Sequence, residues 1–384
     1  MDYQKNSSAS ENEAGEQPPG SLSINNKKKD SGPSFKTGSF LVGQKNNSQV
    51  TKLQNIFSPQ SLKNALPLAL TDSYQTEYSE FLKNLDIEIV SDVKRCFELW
   101  EEFSPKKSLF DTWEFRLAFF LAYKPKLHFI LLKNKSENLA LLPLCYEEDK
   151  KKYFWFGSAW QEENKFFAKK SIFIPLLLAL SPRPILLNAI SLDDISLDKQ
   201  FTEDFRPDDS KYILDLKNIQ SPEDFLMRLK KNRRHDLRKD RRRIEKQNPQ
   251  IIINNFSNFE DLVKISTERL KQKGGKADWK DPRRVEAFRQ VIRLGGKSYK
   301  MRMITVRVGK KVAGVDLIAL FNDCYHTLKC GYDVKNFSGI GNFVNLFEIQ
   351  DAICLGMKKI DFLQNSYQWK DRWFEEVLLV KYEK

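Results

Sequence analysis

The sequence predicts an α+β chain made of two similar units, mixed sheets flanked by helices, behind a disordered N-terminal tail. Three observations predict it. The order strand, turn, strand, turn, strand, loop, helix, strand occurs at 128–188 and again at 303–363, an offset of about 175 residues. A highly charged helical stretch, 221–247, lies between them. Residues 1–54 are rich in Ser, Asn, Lys, Glu, Gly and Gln, and such a segment cannot bury enough apolar surface to offset its ordering entropy. The expected division is therefore a tail at 1–54, a first unit at 55–218 and a second unit at 219–384.

Size and composition narrow the function. The chain has 384 residues, enough for two ordinary domains, and 41% hydrophobic residues with 28 Phe, enough for a sizeable core. The net charge of +13 favours an anionic partner: nucleic acid, a phosphorylated substrate, a nucleotide cofactor or a membrane surface. Five scattered Cys argue for reduced thiols and a cytoplasmic location. The N-terminus has no apolar signal region, and the longest apolar run, 172–180, contains Pro175 and is too short to span a bilayer. A soluble chain without a transmembrane segment is expected.

In the first unit, 93–103 and 112–122 carry helical periodicity. Residues 127–132 and 139–146 read as strands joined by the turn 134–138, and 152–157 as a third. A helix follows at 166–180, which Pro175 should end or kink, then strands at 184–188 and 211–216. Between the units, Ser221-Pro222-Glu223-Asp224 is a helix start, with an N-cap Ser, Pro at the first position and an acid at the third. The helix that follows is expected to be continuous to about 247. Leu226, Leu229, Leu237 and Ile244 form an apolar stripe that Arg233 and Asp240 interrupt. Arg233 on that face needs a partner: Asp236, Asp240 or a substrate anion. The helix itself reads as a solvated face, as a contact for phosphorylated substrate or RNA, or as a DNA-reading or targeting element. No helix-turn-helix, zinc-finger or heptad pattern accompanies it. A strand at 251–255, a helix at 259–272, the turn residues Lys273-Gly274-Gly275 and a helix at 282–294 capped by Asp281 lead into the second unit.

The second unit holds the chemistry. Strands 312–321 and 324–332 are joined by Asn322-Asp323, a two-residue hairpin signal. The loop 335–341 leads to an amphipathic helix from Asn342 to about Met357, then a strand at 359–363 and a polar segment, 365–370. Gly339 and Gly341 let the backbone turn sharply with no side chain over the N–H groups. A helix beginning there offers free donors and a partial positive charge, which suits a pyrophosphate; the same residues also serve as a plain passage from strand to helix. At the corresponding place the first unit has Ser158-Ala159-Trp160-Gln161-Glu162, so phosphate binding is expected of the second unit alone. Cys324, His326 and Cys330 fall on one face of a regular strand, but their spacing matches no standard zinc pattern, so packing and no metal are expected. With only three His and no Ser-His-Asp arrangement, a histidine-based hydrolase is not expected.

Taken together, the helix SPEDFLMRLKKNRRHDLRKDRRRIEK, the hairpin VAGVDLIALF, then CGYD, SGIGNF and the IDFLQ–YQWKDRW end resemble the GNAT-type acyltransferases of the CelD/BcsL (BioF-like) group, which are related to the Fem peptidyltransferases. The resemblance covers about 111–384 and is strongest from Ser221 on. It implies a tandem GNAT (acyl-CoA N-acyltransferase) fold with the active cleft by the second unit. It implies that Asn336, Ser338, Gly339, Ile340, Gly341 and Asn342 hold acetyl-CoA or another acyl-CoA, although the family loop begins with Gln or Arg where this chain has Asn336. Fem-type relatives instead use aminoacyl-tRNA, with a late Phe-Lys pair near the reacting carbonyl; Trp369-Lys370 stands where that pair would be.

Acyl transfer to an amine needs a bound thioester or ester, a deprotonated amine and support for the oxyanion. On this reading Lys370 faces the oxyanion, Tyr367 returns a proton to the leaving thiol, and Asp333 or Asp361 takes the amine proton. Arg233, Arg234, Arg238 and Trp369 would bind the acceptor, an amine-bearing anionic small molecule or glycan precursor. Each of these residues also has a packing, capping or surface role open to it. The alternatives are Fem-like transfer from tRNA and a non-catalytic scaffold for an anionic polymer.

Overall fold

The computed structural model describes residues 85–135, 137–171, 173–191, 204–272 and 278–384, all within the unit Phe57–Lys384. The expected tail and the turn Lys273-Gly274-Gly275 lie outside the described residues. In chain order the elements are β1 (Asp86–Val90), α1 (Val93–Phe103), α2 (Trp113–Tyr123), β2 (Lys126–Lys133), β3 (Asn138–Glu147), β4 (Lys152–Trp155), β5 (Phe167–Ala168), α3 (Phe173–Leu180), β6 (Leu186–Ser191), β7 (Phe205–Pro207) and β8 (Lys211–Asp215). They continue as α4 (Pro222–Arg228), α5 (Lys231–Glu245), β9 (Gln250–Ile253), α6 (Phe259–Gln272), α7 (Pro282–Leu294), β10 (Lys300–Val308), β11 (Lys311–Phe321), β12 (Cys324–Tyr332), α8 (Ile340–Cys354), β13 (Lys359–Gln364), β14 (Glu375–Val377) and β15 (Leu379–Glu383).

Most expected elements stand within a residue or two of their place. Asn322 and Asp323 both adopt positive φ, 45° and 57°, as a two-residue hairpin turn requires. Asp281 caps α7 by accepting the Arg283 N–H. Two elements differ. The helix expected at 166–180 begins only at Phe173, after β5, so Pro175 falls in its first turn, where a missing N–H breaks no bond. The charged helix is not continuous: Leu229 and Lys230 are extended, with ψ of 155° and 144°, and split it into α4 and α5. Neither Gly nor Pro stands at the break, so no residue type marks it in the sequence.

One sheet has the order β1-β2-β3-β4 with β5 on β3, and a second has β14-β8-β13-β12-β11-β10-β9. A small third sheet is β6-β15-β7. The larger sheet is covered on both faces. Leu226, Leu237, Ile244, Val344 and Ile349, from α4, α5 and α8, pack on one side with Ile304, Tyr325 and Ile360. Phe115 and Phe119 of α2 join Leu262 of α6 and Phe288 of α7 on the other, against Val315, Leu317 and Leu328.

The chain's halves therefore exchange parts. β8 lies inside the seven-stranded sheet between β13 and β14, and β15 closes the small sheet with β6 and β7. A buried ion cluster ties them as well: Lys211 of β8 pairs with Glu163 and, at 2.8 Å, with Asp361 of β13. Among the described residues no helix is long and apolar enough to cross a membrane.

Candidate active site

The centre of the site is a place where two strands part. β12 and β13 run parallel and pair only at their starts, Cys324–His326 with Lys359–Asp361. Beyond that each distorts. On β12, Lys329 stands opposite Leu317 and Thr327 opposite Ile318, so Leu328 is an extra, bulged residue. On β13 the register against β8 shifts between Asp361 and Gln364, and Leu363 and Asn365 take positive φ. The ends of the strands, from Leu328 and from Phe362, are thus free of each other, and their backbone edges flank an opening in the middle of the sheet.

Lys370 fills the β13 side of this opening. Its ammonium donates to the carbonyls of Phe362, Leu363 (3.4 Å) and Gln364 (2.8 Å). The side chain is buried, and the resulting desolvation lowers its pKa to about 8, with Glu162 the leading opposing influence. The ring of Tyr367 lies 5.2 Å from the Lys370 Nζ, and Tyr367 itself is 69% exposed. The structure thus brings Tyr367 and Lys370 together.

Glu162 is a group that sequence reasoning missed. It comes from the first half, in the stretch that stands where the second half has its glycine loop. Its carboxylate accepts the Gln364 N–H at 2.9 Å and lies 3.8 Å from the Lys329 Nζ of β12, so it bridges the two parted strands. Gln364 is therefore held by Glu162 through its N–H and by Lys370 through its carbonyl. Only the fold brings a residue some 200 positions away to this point.

The glycine loop leads into α8 as expected. Gly339, φ 89°, is its N-cap, and a Cβ on Gly341 would lie 3.1 Å from the Tyr332 ring. An acid stands beside the loop: a Cβ on Gly339 would come within 2.8 Å of Asp240 of α5. Asp240 accepts from Asn342 Nδ2 at 2.6 Å and from Arg243 at 3.0 Å, and Arg243 also donates to Ser338 Oγ at 3.0 Å. This explains Asp240 on the apolar stripe of α5: it is the loop's polar partner. Asn336 turns away from the loop, and its backbone N–H and side-chain amide both donate to the carboxylate of Asp333.

Other expected site residues lie elsewhere. Asp361 is buried, with Oδ2 on Lys211 and Oδ1 accepting the Leu363 N–H at 2.9 Å. The Lys211 ammonium holds its carboxyl below the usual range against the effect of burial. Arg233 is half-buried and stacks over the Trp373 ring at 5.3 Å, while Arg238 pairs with Glu223 and Arg234 reaches the Met227 carbonyl at 3.5 Å. Trp369 packs edge-on against Phe362 and Trp373. Cys324 and His326 lie with Asp361, potential ligand atoms within 4.8 Å of one another. Cys330 is not with them. The bulge at Leu328 puts it opposite Asp316, on the α8 side of the sheet.

Under the glycine loop lies a second feature that the sequence concealed. Asp316 of β11 and Glu348 of α8 are both buried, and burial pushes both carboxyls up, Asp316 to about 7. Two such acids in contact retain a proton between them. The Tyr332 hydroxyl donates to Asp316 at 2.5 Å. Nearby, Arg302 pairs with Asp351 at 2.5 Å, which also accepts from Tyr325 at 3.0 Å. These groups anchor α8, and with it the loop, to the sheet.

Residues 231–371 match the model of the acetyltransferase (GNAT) domain family. No curated protein matches the chain. Among solved structures, the chain is similar to FemX at TM-score 0.52 and 9% identity, with 77% of this chain and 97% of that one covered. It is also similar to a tandem GNAT protein from the clavulanic acid biosynthesis pathway (TM-score 0.47, 8% identity, 78% and 98% covered). A further similar structure is L-PGS from Bacillus licheniformis (TM-score 0.46, 13% identity, 77% and 92% covered). The fold is a mixed α/β, GNAT-like fold. The matched segment, from α5 to the residue after Lys370, is a transferase domain of the GNAT type.

Proposed function

We propose that the chain is an N-acyltransferase that takes an acyl group from acetyl-CoA or another acyl-CoA and passes it to an amine of an anionic acceptor, such as an envelope or polysaccharide precursor. The observation that carries this reading is the opening between β12 and β13 with Lys370 in it. A thioester entering there meets the unpaired edge of β12, whose N–H groups can polarise its carbonyl. The Lys370 ammonium, already on a row of carbonyl oxygens, is placed to face developing negative charge. It can also give its proton to the leaving thiolate, a role for which a pKa near 8 is suited. Tyr367, beside it, is a second donor. The loop from Ser338 to Asn342 would hold the donor's phosphates at the start of α8. We read the second half, 219–384, as the catalytic unit and the first as its tandem partner, in the manner of the CelD/BcsL group and in the cytoplasm.

The test is turnover by the Lys370→Ala variant. On this reading it loses about 10²-fold or more in kcat with little change in donor binding, as expected for a group used mainly in the transition state. Equal turnover would remove Lys370 from the mechanism.

One observation favours a Fem-like donor instead. Asp240 places a carboxylate against Gly339, where a pyrophosphate would sit, although Arg243 and Asn342 draw on that charge. The neighbouring basic face of α5, with Lys231, Lys239 and Arg242 exposed, suits an RNA backbone. Retention of tRNA at low salt, lost steeply as salt rises, would support this second reading; no retention would end it.

A further inference from the structure

We infer that the outward face of α5 is a docking surface for a bilayer that carries anionic phospholipids. The inference goes beyond acyl transfer and does not depend on which donor the chain uses.

α5 runs from Lys231 to Glu245 and buries Leu237 and Ile244. Lys246, its C-cap, keeps helical backbone angles. At about 100° per residue, Lys231, His235, Lys239, Arg242 and Lys246 fall in one stripe on the side opposite Leu237 and Ile244. All five are exposed. The stripe holds no acid. Asp240 is turned to the glycine loop, Glu245 holds Arg241 at 2.7 Å, and Asp236 projects about 100° round the helix from the stripe. Among the described residues no carboxylate pairs with Lys231, Lys239, Arg242 or Lys246, whereas the flanking Arg238, Arg241 and Arg243 each have one.

Four cations without a counter-ion in the protein thus stand in a row about 22 Å long. The row continues past the helix. Gln250, at the start of β9, pairs with Arg307, so the exposed Lys310 and Lys311 of the β10–β11 turn adjoin its C-terminal end. Like charges three and four residues apart, as in Lys239, Arg242 and Lys246, repel one another along a helix. An external anionic surface relieves that repulsion.

Two observations favour a bilayer over RNA. α5 contains no Phe, Tyr or Trp, so no base can stack on it. Met227 of α4 is 58% exposed, with Arg234 reaching its carbonyl and Arg238 its sulfur. An apolar side chain among cations fits the boundary of headgroups and acyl chains and gives nothing to a phosphate backbone. Through Asp240 and Arg243 the same helix holds the glycine loop, so docking keeps the candidate site next to the bilayer.

The experiment is co-sedimentation of the full chain with vesicles of phosphatidylcholine containing about a third phosphatidylglycerol, at moderate salt. The parent chain should bind these, release as salt rises, and leave pure phosphatidylcholine vesicles unbound. A variant with Lys231→Gln, Lys239→Gln, Arg242→Gln and Lys246→Gln should lose about 10²-fold or more in affinity, at roughly fivefold per cation. A control with Lys94→Gln, Lys107→Gln, Lys124→Gln and Lys151→Gln removes the same charge from exposed positions elsewhere and should bind as the parent does. No vesicle binding by the parent, or equal loss in the two variants, would overturn the inference. So would tRNA retention that only the α5 variant loses, together with no vesicle binding, which would assign the face to RNA. None of these assays contains an acyl donor, so their failure is separate from failure of the acyl-CoA reading.

Discussion

Lys370 shows how burial turns an ordinary residue into a reactive one. Its stem is enclosed and its ammonium sits on carbonyl oxygens, and desolvation brings its pKa down to about 8. The reaction needs the protonated form, so turnover should fall as pH rises through about 8; a pH profile flat across that range would show that Lys370 carries no proton in the rate-limiting step. Asp316 makes a prediction about stability. Its folded pKa is raised to about 7, so the neutral carboxyl supports the fold below the unfolded value near 4, and that support is lost as pH rises toward 7. Asp316→Asn should remove the loss and raise stability at pH 7.5 by on the order of 2 kcal/mol, with little gain at pH 4.5. Thermal melts at the two pH values check this, and equal destabilisation at both would contradict it. Lys370 is legible only through the resemblance, because Trp369-Lys370 stands where Fem-type relatives have a Phe-Lys pair, and Tyr367 because it lies in the same polar segment. Glu162, Asp240 and the Asp316–Glu348 pair are not legible: their roles arise from partners brought together across the fold, and each alone reads as a surface or helix acid.

At the scale of elements, hairpin, helix and strand in the second half were legible because each carries local chemistry. Asn322-Asp323 takes the left-handed turn, Gly339 starts α8 at φ 89°, and Asp281 caps α7. The break between α4 and α5 and the bulge at Leu328 were not legible, since no Gly or Pro marks either. Yet these irregularities make the site. The bulge turns Cys330 to the α8 face and parts β12 from β13. The loop itself is held by a close approach: Gly339→Ala must bring a Cβ to within 2.8 Å of Asp240 in a left-handed conformation. That should cost about 1–3 kcal/mol. Urea unfolding measures the cost; a variant as stable as the parent would mean that Asp240 does not press on the loop.

For the whole molecule, the repeat of strands and helices at an offset of about 175 residues is visible in the pattern of apolar residues. The way the halves depend on each other is not, because it rests on exchanged strands. β8 is an inner strand of the seven-stranded sheet, α2 covers that sheet from the first half, and Lys211 joins Glu163 to Asp361. A chain starting at 219 would lose β8 and bare the face under Phe115 and Phe119, so it should not fold alone. Dispersed amide NMR signals from that fragment would contradict this. The central claim is that the opening between β12 and β13 receives an acyl-CoA, and isothermal calorimetry of the chain with acetyl-CoA tests it most directly. The account predicts binding that disappears in Gly341→Trp, whose Cβ alone would lie 3.1 Å from the Tyr332 ring, so that the start of α8 and its loop must shift. No heat of binding with the unaltered chain, or equal binding by the variant, would contradict it.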